Sequence, residues 1–280
     1  MEITIPEQLS ALAHPKRLDL FRLLIRHYPS PMAAGEIART LSLKANTASS
    51  YLTALHRAGL IHRHRVATSV QYSAKMGNIR ALLAGLMSEC CQSRPDLCQP
   101  PGEAGQRPTA LHDTGQPVHV LFLCTGNSAR SVLAEAILRD FGEGRFIGFS
   151  AGTKPKSAPH PDVLRFLRRK GHDTSDLTSK SLAVFDAAHG PQMDLIITVC
   201  DAAASEECPL WPGHPISAHW GQPDPVGLGQ GDTAICDAYN LLLQRINALI
   251  AMPLHGMSLI DIQLGLDDIG RICGEPAKGT

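Results

Sequence analysis

The segment from Val118 to Ser131 constrains the fold of this chain more than any other. It runs Val118-His-Val-Leu-Phe-Leu-Cys124-Thr-Gly-Asn-Ser-Ala-Arg130-Ser131, an apolar run that ends at a cysteine and continues through small and polar residues to an arginine. A helical pattern, Val-Leu-Ala-Glu-Ala-Ile-Leu, follows from Val132. The sequence therefore predicts a strand, a tight loop and a helix N-terminus in direct succession.

Such a loop is predicted to bind a tetrahedral oxyanion. Backbone N–H groups and a helix N-terminus attract negative charge, and the planar guanidinium of Arg130 would hold the anion from the other side. Cys124 is then predicted to be a thiolate nucleophile directed at the anion. A buried cysteine beside a surface arginine is the alternative. The candidate anion-binding residues are Thr125, Gly126, Asn127, Ser128, Ala129, Arg130 and Ser131.

Length and composition indicate two domains joined by a linker. A chain of 280 residues is long enough for about two domains, and residues 93–116 contain four prolines and three glycines without apolar periodicity. We predict domains at 1–92 and 117–280. The net charge is zero, so contact with nucleic acid would need a local basic patch. Eight cysteines, no membrane-length apolar run and no signal-like N-terminus favour a cytoplasmic protein with reactive or metal-binding thiols.

Residues 1–92 show the periodicity of several short helices and one hairpin. Two closely spaced helices, about 33–41 and 46–58, fit a helix-turn-helix, and residues 60–73 fit a β-hairpin wing. This order resembles the ArsR/SmtB family of winged-helix metalloregulatory repressors. Two segments carry the resemblance: Ala13-His-Pro-Lys-Arg-Leu18 and Leu52-Thr-Ala-Leu-His-Arg-Ala-Gly-Leu-Ile61.

The resemblance implies an α+β winged helix-turn-helix domain that binds operator DNA as a homodimer through its first and last helices. The second helix of the motif enters the major groove in such folds, and the wing contacts the DNA backbone. Each of these side chains taken alone would more often be a solvated surface residue. The implied DNA-binding residues are Lys44, Asn46, Thr47, Ser49, Ser50, Tyr51, Arg57, Arg63 and Arg65.

Three cysteines cluster where the last helix of this domain is predicted to end. Cys90 and Cys91 are adjacent, and Cys98 follows beyond Pro95. Thiolates are soft ligands, and trivalent arsenic takes three of them, so these cysteines are candidate As(III) ligands and As(III) the candidate inducer. The chain lacks the Cys-Val-Cys motif of the better-known repressors and resembles the subgroup whose thiolates lie at the end of the last helix. Linker or interface cysteines without a ligand are the alternative.

From residue 117 strands and helices alternate, with strands predicted at 118–123, 145–150 and 195–199, which indicates an α/β domain with a parallel sheet. Residues 117–272 resemble the low-molecular-weight protein tyrosine phosphatase fold, and in particular the arsenate reductases built on it. The motifs that carry the resemblance are residues 124–131, Phe149-Ser-Ala-Gly-Thr153 and Gln222-Pro-Asp224-Pro225. The resemblance implies that Asp224 is the general acid that protonates the leaving group. A plain surface turn is the alternative for Asp224.

Cys200 and Cys208 distinguish a reductase from a phosphatase. Hydrolysis of a phosphoester needs one cysteine, whereas reduction of As(V) to As(III) needs two electrons and a second thiol. The implied relay passes from Cys124 to Cys200 to Cys208 by thiol–disulfide exchange. Reduced thioredoxin, or glutaredoxin with glutathione, would then restore the thiols, and no tightly bound cofactor is expected. Two buried core thiols are the alternative, and core packing is also expected for Cys236 and Cys273.

Three classes of function follow from these patterns. The first is an arsenite-responsive repressor fused to an arsenate reductase. The second is a tyrosine phosphatase fused to a metal- or redox-sensing DNA-binding regulator. The third is a DNA-binding sensor whose C-terminal half only binds an oxyanion. The fold alone does not choose between them; Cys200 and Cys208 favour the first.

Overall fold

The computed structural model describes residues 4–66, 69–86, 116–185, 190–206, 215–227 and 231–273. Two compact units divide the chain, Met1–Arg107 and Pro108–Thr280. Within the described residues, no helix combines the length and apolar character that a membrane span requires. Each unit has its own hydrophobic core.

The N-terminal unit is built from short helices around an aliphatic core. α1 begins with a capping box in which Thr4 and Glu7 satisfy each other's backbone N–H groups. α2 begins with a proline, whose missing N–H costs nothing in the first turn. Leu20, Leu24, Leu52 and Leu55 are fully buried and join the helices. The helices are α1 (Ile5–Leu12), α2 (Pro15–His27), α3 (Ala34–Thr40), α4 (Ala45–Arg57) and α5 (Met76–Gly85).

A small antiparallel sheet completes this unit. β2 (Ile61–Val66) and β3 (Ser69–Ala74) pair along their whole length, and β1 (Met32–Ala33) adds a short third strand beside β3. Every residue of β2 after Ile61 is exposed, whereas β3 buries Tyr72 and Ala74 against the helices. The predicted helix-turn-helix and wing are therefore present, and the wing presents its basic strand to solvent.

The C-terminal unit contains a four-stranded parallel sheet. Its strands are β4 (Val118–Cys124), β5 (Phe146–Gly152), β6 (Leu195–Thr198) and β7 (Ile216–His219), in the order β5-β4-β6-β7. The chain moves from β4 to β5 on one side and then crosses to β6 on the other. The carboxyl ends of β4 and β6 therefore flank the switch point, where ligands bind in open parallel sheets.

The helices of this unit pack mainly on one face of the sheet. They are α6 (Arg130–Phe141), α7 (Pro161–Arg169), α8 (Asp201–Ser205), α9 (Gly231–Ala251) and α10 (Leu259–Gly270). Val120 and Phe122 face a core that contains Trp220 and the apolar sides of α6, α9 and α10. Leu121 and Leu123 point to the opposite face, where a 3-10 helix at Leu182–Phe185 covers them.

The predicted parallel sheet is confirmed, with differences of detail. The predicted strands 118–123, 145–150 and 195–199 match β4, β5 and β6 to within two residues at each end. β7 was not predicted because a strand of four residues after a proline-rich stretch has no clear alternation. The short helix α8 was not assigned from sequence either.

Candidate active site

The segment from Cys124 to Arg130 forms a buried loop between β4 and α6. Cys124 is the last residue of β4 and is 3% exposed. Its Sγ accepts the backbone N–H of Asn127 at 3.1 Å and lies 2.9 Å from the Oγ of Ser131. A sulfur held by an N–H and a hydroxyl is suited to carry negative charge, because both groups can donate to a thiolate.

The loop carbonyls point outward, away from the thiol. The carbonyls of residues 124–128 all accept hydrogen bonds from segments outside the loop. In a trans peptide the C=O of one residue and the N–H of the next point in opposite directions, so the N–H groups of residues 125–129 point inward. The outer donors are Thr153 N, Lys154 N, Lys156 N, Ser179 Oγ and His160 N. The inward N–H groups and the start of α6 together form an anion-binding concavity.

Asn127 stabilises the curved backbone of the anion-binding loop. Its φ of +42° lies in the left-handed region, and its side chain makes three hydrogen bonds that fix it there. The amide nitrogen donates to Ser131 Oγ at 2.9 Å and to Ser150 Oγ at 2.8 Å, while Oδ1 accepts the N–H of Lys180 at 2.5 Å. The strained backbone of the loop is therefore compensated by a buried network.

Glu135 and Lys180 form an ion pair next to that hydrogen-bond network. Ser150 Oγ donates to Glu135 Oε2, and the Nζ of Lys180 lies 3.2 Å from the same oxygen. The side chains of Glu135 and Lys180 are only 12% and 19% exposed. Neither residue was a candidate from sequence. They stabilise the loop indirectly, through Ser150 and Asn127.

Arg130 lies where the anion would be clamped. Its Nη1 donates to the carbonyl of Gln222 at 3.0 Å, and its Nη2 is 3.9 Å from Oδ2 of Asp224. The Arg130 side chain is 14% exposed, and that of Asp224 is 48% exposed. The structure thus places the candidate arginine and the candidate general acid beside each other at the mouth of the loop, with the carboxylate accessible.

Cys200 lies next to the anion loop. It is 1% exposed and caps α8, where its Sγ accepts the N–H of Ala203 at 3.4 Å. The same sulfur lies 3.5 Å from Thr125 Oγ1. Two candidate redox cysteines, 76 positions apart in the sequence, therefore lie at adjacent strand ends of one sheet.

Of the six remaining cysteines, the structure describes Cys236 and Cys273. Cys208 lies outside the described residues, as do Cys90, Cys91 and Cys98. Cys236 is half-buried against the core of the unit. The expectation of core packing for Cys273 is wrong: this residue is exposed and its thiol donates to the carbonyl of Arg271, beyond the end of α10. One apolar neighbour in the sequence was too little to indicate burial there.

Comparison with known proteins agrees with this geometry. The family described as low molecular weight phosphotyrosine protein phosphatase matches residues 119–251. An arsenate reductase of Brevibacillus brevis is 40% identical over 108 residues, which cover 39% of this chain and 77% of that protein. An arsenate reductase of Bacillus subtilis is 34% identical, covering 38% of this chain and 73% of that protein. This chain belongs to the arsenate reductase family.

The phosphatase family model matches only residues of the C-terminal unit, and it confirms the predicted phosphatase-like fold of that unit. A solved structure described as an arsenate reductase in oxidized state is 27% identical, covers 48% of this chain and 96% of its own, and has a TM-score of 0.41. A helix-turn-helix domain family matches residues 12–64. The chain therefore joins a helix-turn-helix domain to an arsenate reductase domain.

The candidate DNA-binding residues lie mainly on the solvent side of α4 and the wing. Most of the nine are exposed, and Thr47 is half-buried. Tyr51 is also half-buried, and its hydroxyl lies 3.4 Å from Nε2 of His14, at the start of α2. The exposed candidates are Lys44, Asn46, Ser49, Ser50, Arg57, Arg63 and Arg65.

Proposed function

We propose that this chain is an arsenate reductase fused to an arsenite-responsive transcriptional repressor. The observation that carries the enzymatic half is the position of Cys200 beside the loop that begins at Cys124, with Thr125 Oγ1 in contact with the Cys200 sulfur at 3.5 Å. A phosphatase needs the loop, Arg130 and Asp224, but has no use for a second buried thiol at this place.

The proposed reaction begins with the thiolate of Cys124 attacking the arsenic of bound arsenate. Loop N–H groups and Arg130 neutralise the oxyanion, and Asp224 donates a proton to the oxygen that leaves as water. A Cys124–arsenate thioester remains. The thiolate of Cys200 then attacks the sulfur of Cys124, and the electron pair of the S–As bond passes to arsenic. Arsenite leaves, and a Cys124–Cys200 disulfide forms.

Cys208 would complete the relay. Its thiolate attacks Cys200, which releases the Cys124 thiolate and leaves a Cys200–Cys208 disulfide. A dithiol donor such as thioredoxin, or glutaredoxin with glutathione, reduces that disulfide and restores the enzyme. The cytoplasm is the compartment where this cycle would operate, because such donors keep thiols reduced there. No tightly bound cofactor is needed for any step.

The repressor half is proposed from the helix-turn-helix unit. Its exposed α4 residues would contact operator DNA in the major groove, and the basic wing would contact phosphates. Leu9 on α1 and Leu83 on α5 are 42% and 55% exposed, which suits a homodimer interface on these helices. As(III) bound by Cys90, Cys91 and Cys98 would then act as the inducer, since these cysteines follow α5 in the chain.

Coupled turnover tests the enzymatic proposal. NADPH oxidation by thioredoxin reductase and thioredoxin should depend on arsenate and on the protein, and should be lost in Cys124→Ser and Cys200→Ser. Hydrolysis of p-nitrophenyl phosphate without arsenate reduction would instead support the phosphatase alternative. For the repressor, arsenite should release operator DNA from the wild type and fail to do so when Cys90, Cys91 and Cys98 are all serine; release from that variant would refute the inducer site.

A further inference from the structure

Asp201 and His219 connect the cysteine-bearing helix α8 to the edge strand β7. Nε2 of His219 lies 3.1 Å from Oδ1 of Asp201, and Nδ1 lies 2.8 Å from Oγ1 of Thr198. The His219 side chain is 1% exposed, whereas that of Asp201 is 55% exposed. In a neutral imidazole one ring nitrogen donates and the other accepts, so a ring that donates from Nε2 to the carboxylate can accept the Thr198 hydroxyl at Nδ1.

This pair adjoins the second cysteine. Asp201 is the first residue of α8 and directly follows Cys200, whose Sγ accepts the N–H of Ala203 and contacts Thr125. The backbone that carries the Asp201 side chain therefore also sets where the Cys200 sulfur lies. α8 has only five residues, so its own hydrogen bonds give little independent stability. The contact of Asp201 with the buried His219 ring adds a constraint on its first turn.

Asp201 and His219 also lie against the loop that contains Gly221 and the candidate general acid Asp224. A Cβ at Gly221 would lie 2.4 Å from Oδ1 of Asp201 and 2.6 Å from Nε2 of His219. Only a glycine allows the loop to approach the pair so closely. One residue further on, the carbonyl of Gln222 accepts from Arg130. The pair is thus in contact with the elements that carry Cys200 and with those that carry Asp224.

We propose that Asp201 and His219 are positioning residues that hold the Cys200 sulfur beside the anion loop for its attack on Cys124. This inference rests on the proposed reductase function and extends it. In that step the Cys200 thiolate forms a bond to the Cys124 sulfur while the S–As bond breaks, with its electron pair going to arsenic. The pair takes no part in the bond changes. It keeps the Cys200 sulfur close to the sulfur that it attacks. A misplacement of 1 Å can lower the rate of such a step about 100-fold.

The test compares variants that break or keep the Nε2 contact in the full-length protein. Asp201→Ala removes the carboxylate, and His219→Asn leaves an amide that reaches only the position of Nδ1. His219→Gln is the conservative control, because its amide nitrogen can occupy the position of Nε2. Two quantities are measured: arsenite released in a single turnover after arsenate is mixed with reduced protein, and protection of Cys124 from iodoacetamide by inorganic phosphate.

Asp201→Ala and His219→Asn should release arsenite about 10- to 100-fold more slowly than the wild type, while the phosphate concentration that half-protects Cys124 changes less than about twofold. His219→Gln should recover most of the rate. Alkylation of Cys200 should be faster in the two disrupted variants. Equal losses of arsenite release and phosphate protection, or an unchanged release rate in both disrupted variants, would overturn the proposal. If the wild type itself forms no arsenite, the reductase function fails, and Cys200 alkylation alone decides whether the pair holds this thiol.

Discussion

Thr125 Oγ1 and Cys200 Sγ lie 3.5 Å apart, so the first residue of the anion loop contacts the second candidate redox thiol. The contact joins the carboxyl ends of β4 and β6, on either side of the switch point of the sheet. One sheet topology therefore brings the candidate nucleophile Cys124 and the candidate second redox thiol Cys200 to neighbouring strand ends.

Gly152→Ala should impair the anion loop without unfolding the protein. A Cβ at this position would lie 2.7 Å from the carbonyl oxygen of Thr125 and 3.0 Å from Asn127, so the loop must move. We expect phosphate protection of Cys124 to weaken by about tenfold or more, equivalent to about 1.4 kcal/mol. Gly77→Ala is the control, because nothing lies within 4 Å of its Cβ. Unchanged protection in Gly152→Ala would show that the loop tolerates the displacement.

The Glu135–Lys180 pair should stabilise the protein cooperatively. Either Glu135→Gln or Lys180→Met leaves one largely buried group without its partner, at a cost of about 2–4 kcal/mol in the free energy of unfolding. The double variant should cost clearly less than the sum of the two, because no unpaired charge remains. Urea unfolding of the four proteins measures this coupling. Strictly additive losses would mean that the two side chains act independently.

How far the sequence predicted this site depended on the distance between partners along the chain. Residues 124–131 are adjacent, and the periodicity on either side predicted the strand, the loop and the helix correctly. Lys180 reaches Glu135 across 45 positions, and no local pattern indicates such a contact. The same holds for His219 and Asp201, which lie 18 positions apart in a strand and a helix that the sequence pattern did not predict. The expectation of core packing failed at Cys273 because the last described helix ends at Gly270, and Cys273, three residues further on, is exposed.

The wing arginines should contribute to DNA affinity through phosphates. Arg63 and Arg65 are exposed on β2. Replacing either by alanine should weaken binding to operator and unrelated DNA alike, and should reduce the slope of log K against log salt by about 0.9. Asn46→Ala on α4 should instead reduce the preference for operator over unrelated DNA. Fluorescence anisotropy at several salt concentrations distinguishes the two effects, and a sequence-dependent loss in the wing variants would contradict this assignment.

His62 on the wing should remain neutral at lower pH than an ordinary histidine. Partial burial lowers its pKa below 6.5, and the nearby Lys75, His64 and His56 lower the pKa further. Because the unfolded chain then binds a proton more readily than the folded one, His62 reduces stability as the pH falls below about 6.5 and has no such effect above it. NMR titration should give a pKa below 6.5. The acid-induced loss of stability should be smaller in His62→Gln, and an equal loss would contradict the prediction.

The most direct test of the account is a single turnover of the fully reduced protein with arsenate in the absence of any external reductant. We expect one arsenite per protein molecule, the loss of two thiols, and a disulfide that peptide mass mapping assigns to Cys200 and Cys208. Cys208→Ser should still release arsenite once and should stop at a Cys124–Cys200 disulfide. Arsenite formation with all thiols intact, or no arsenite from a protein whose Cys124 is protected by arsenate, would contradict the thiol relay.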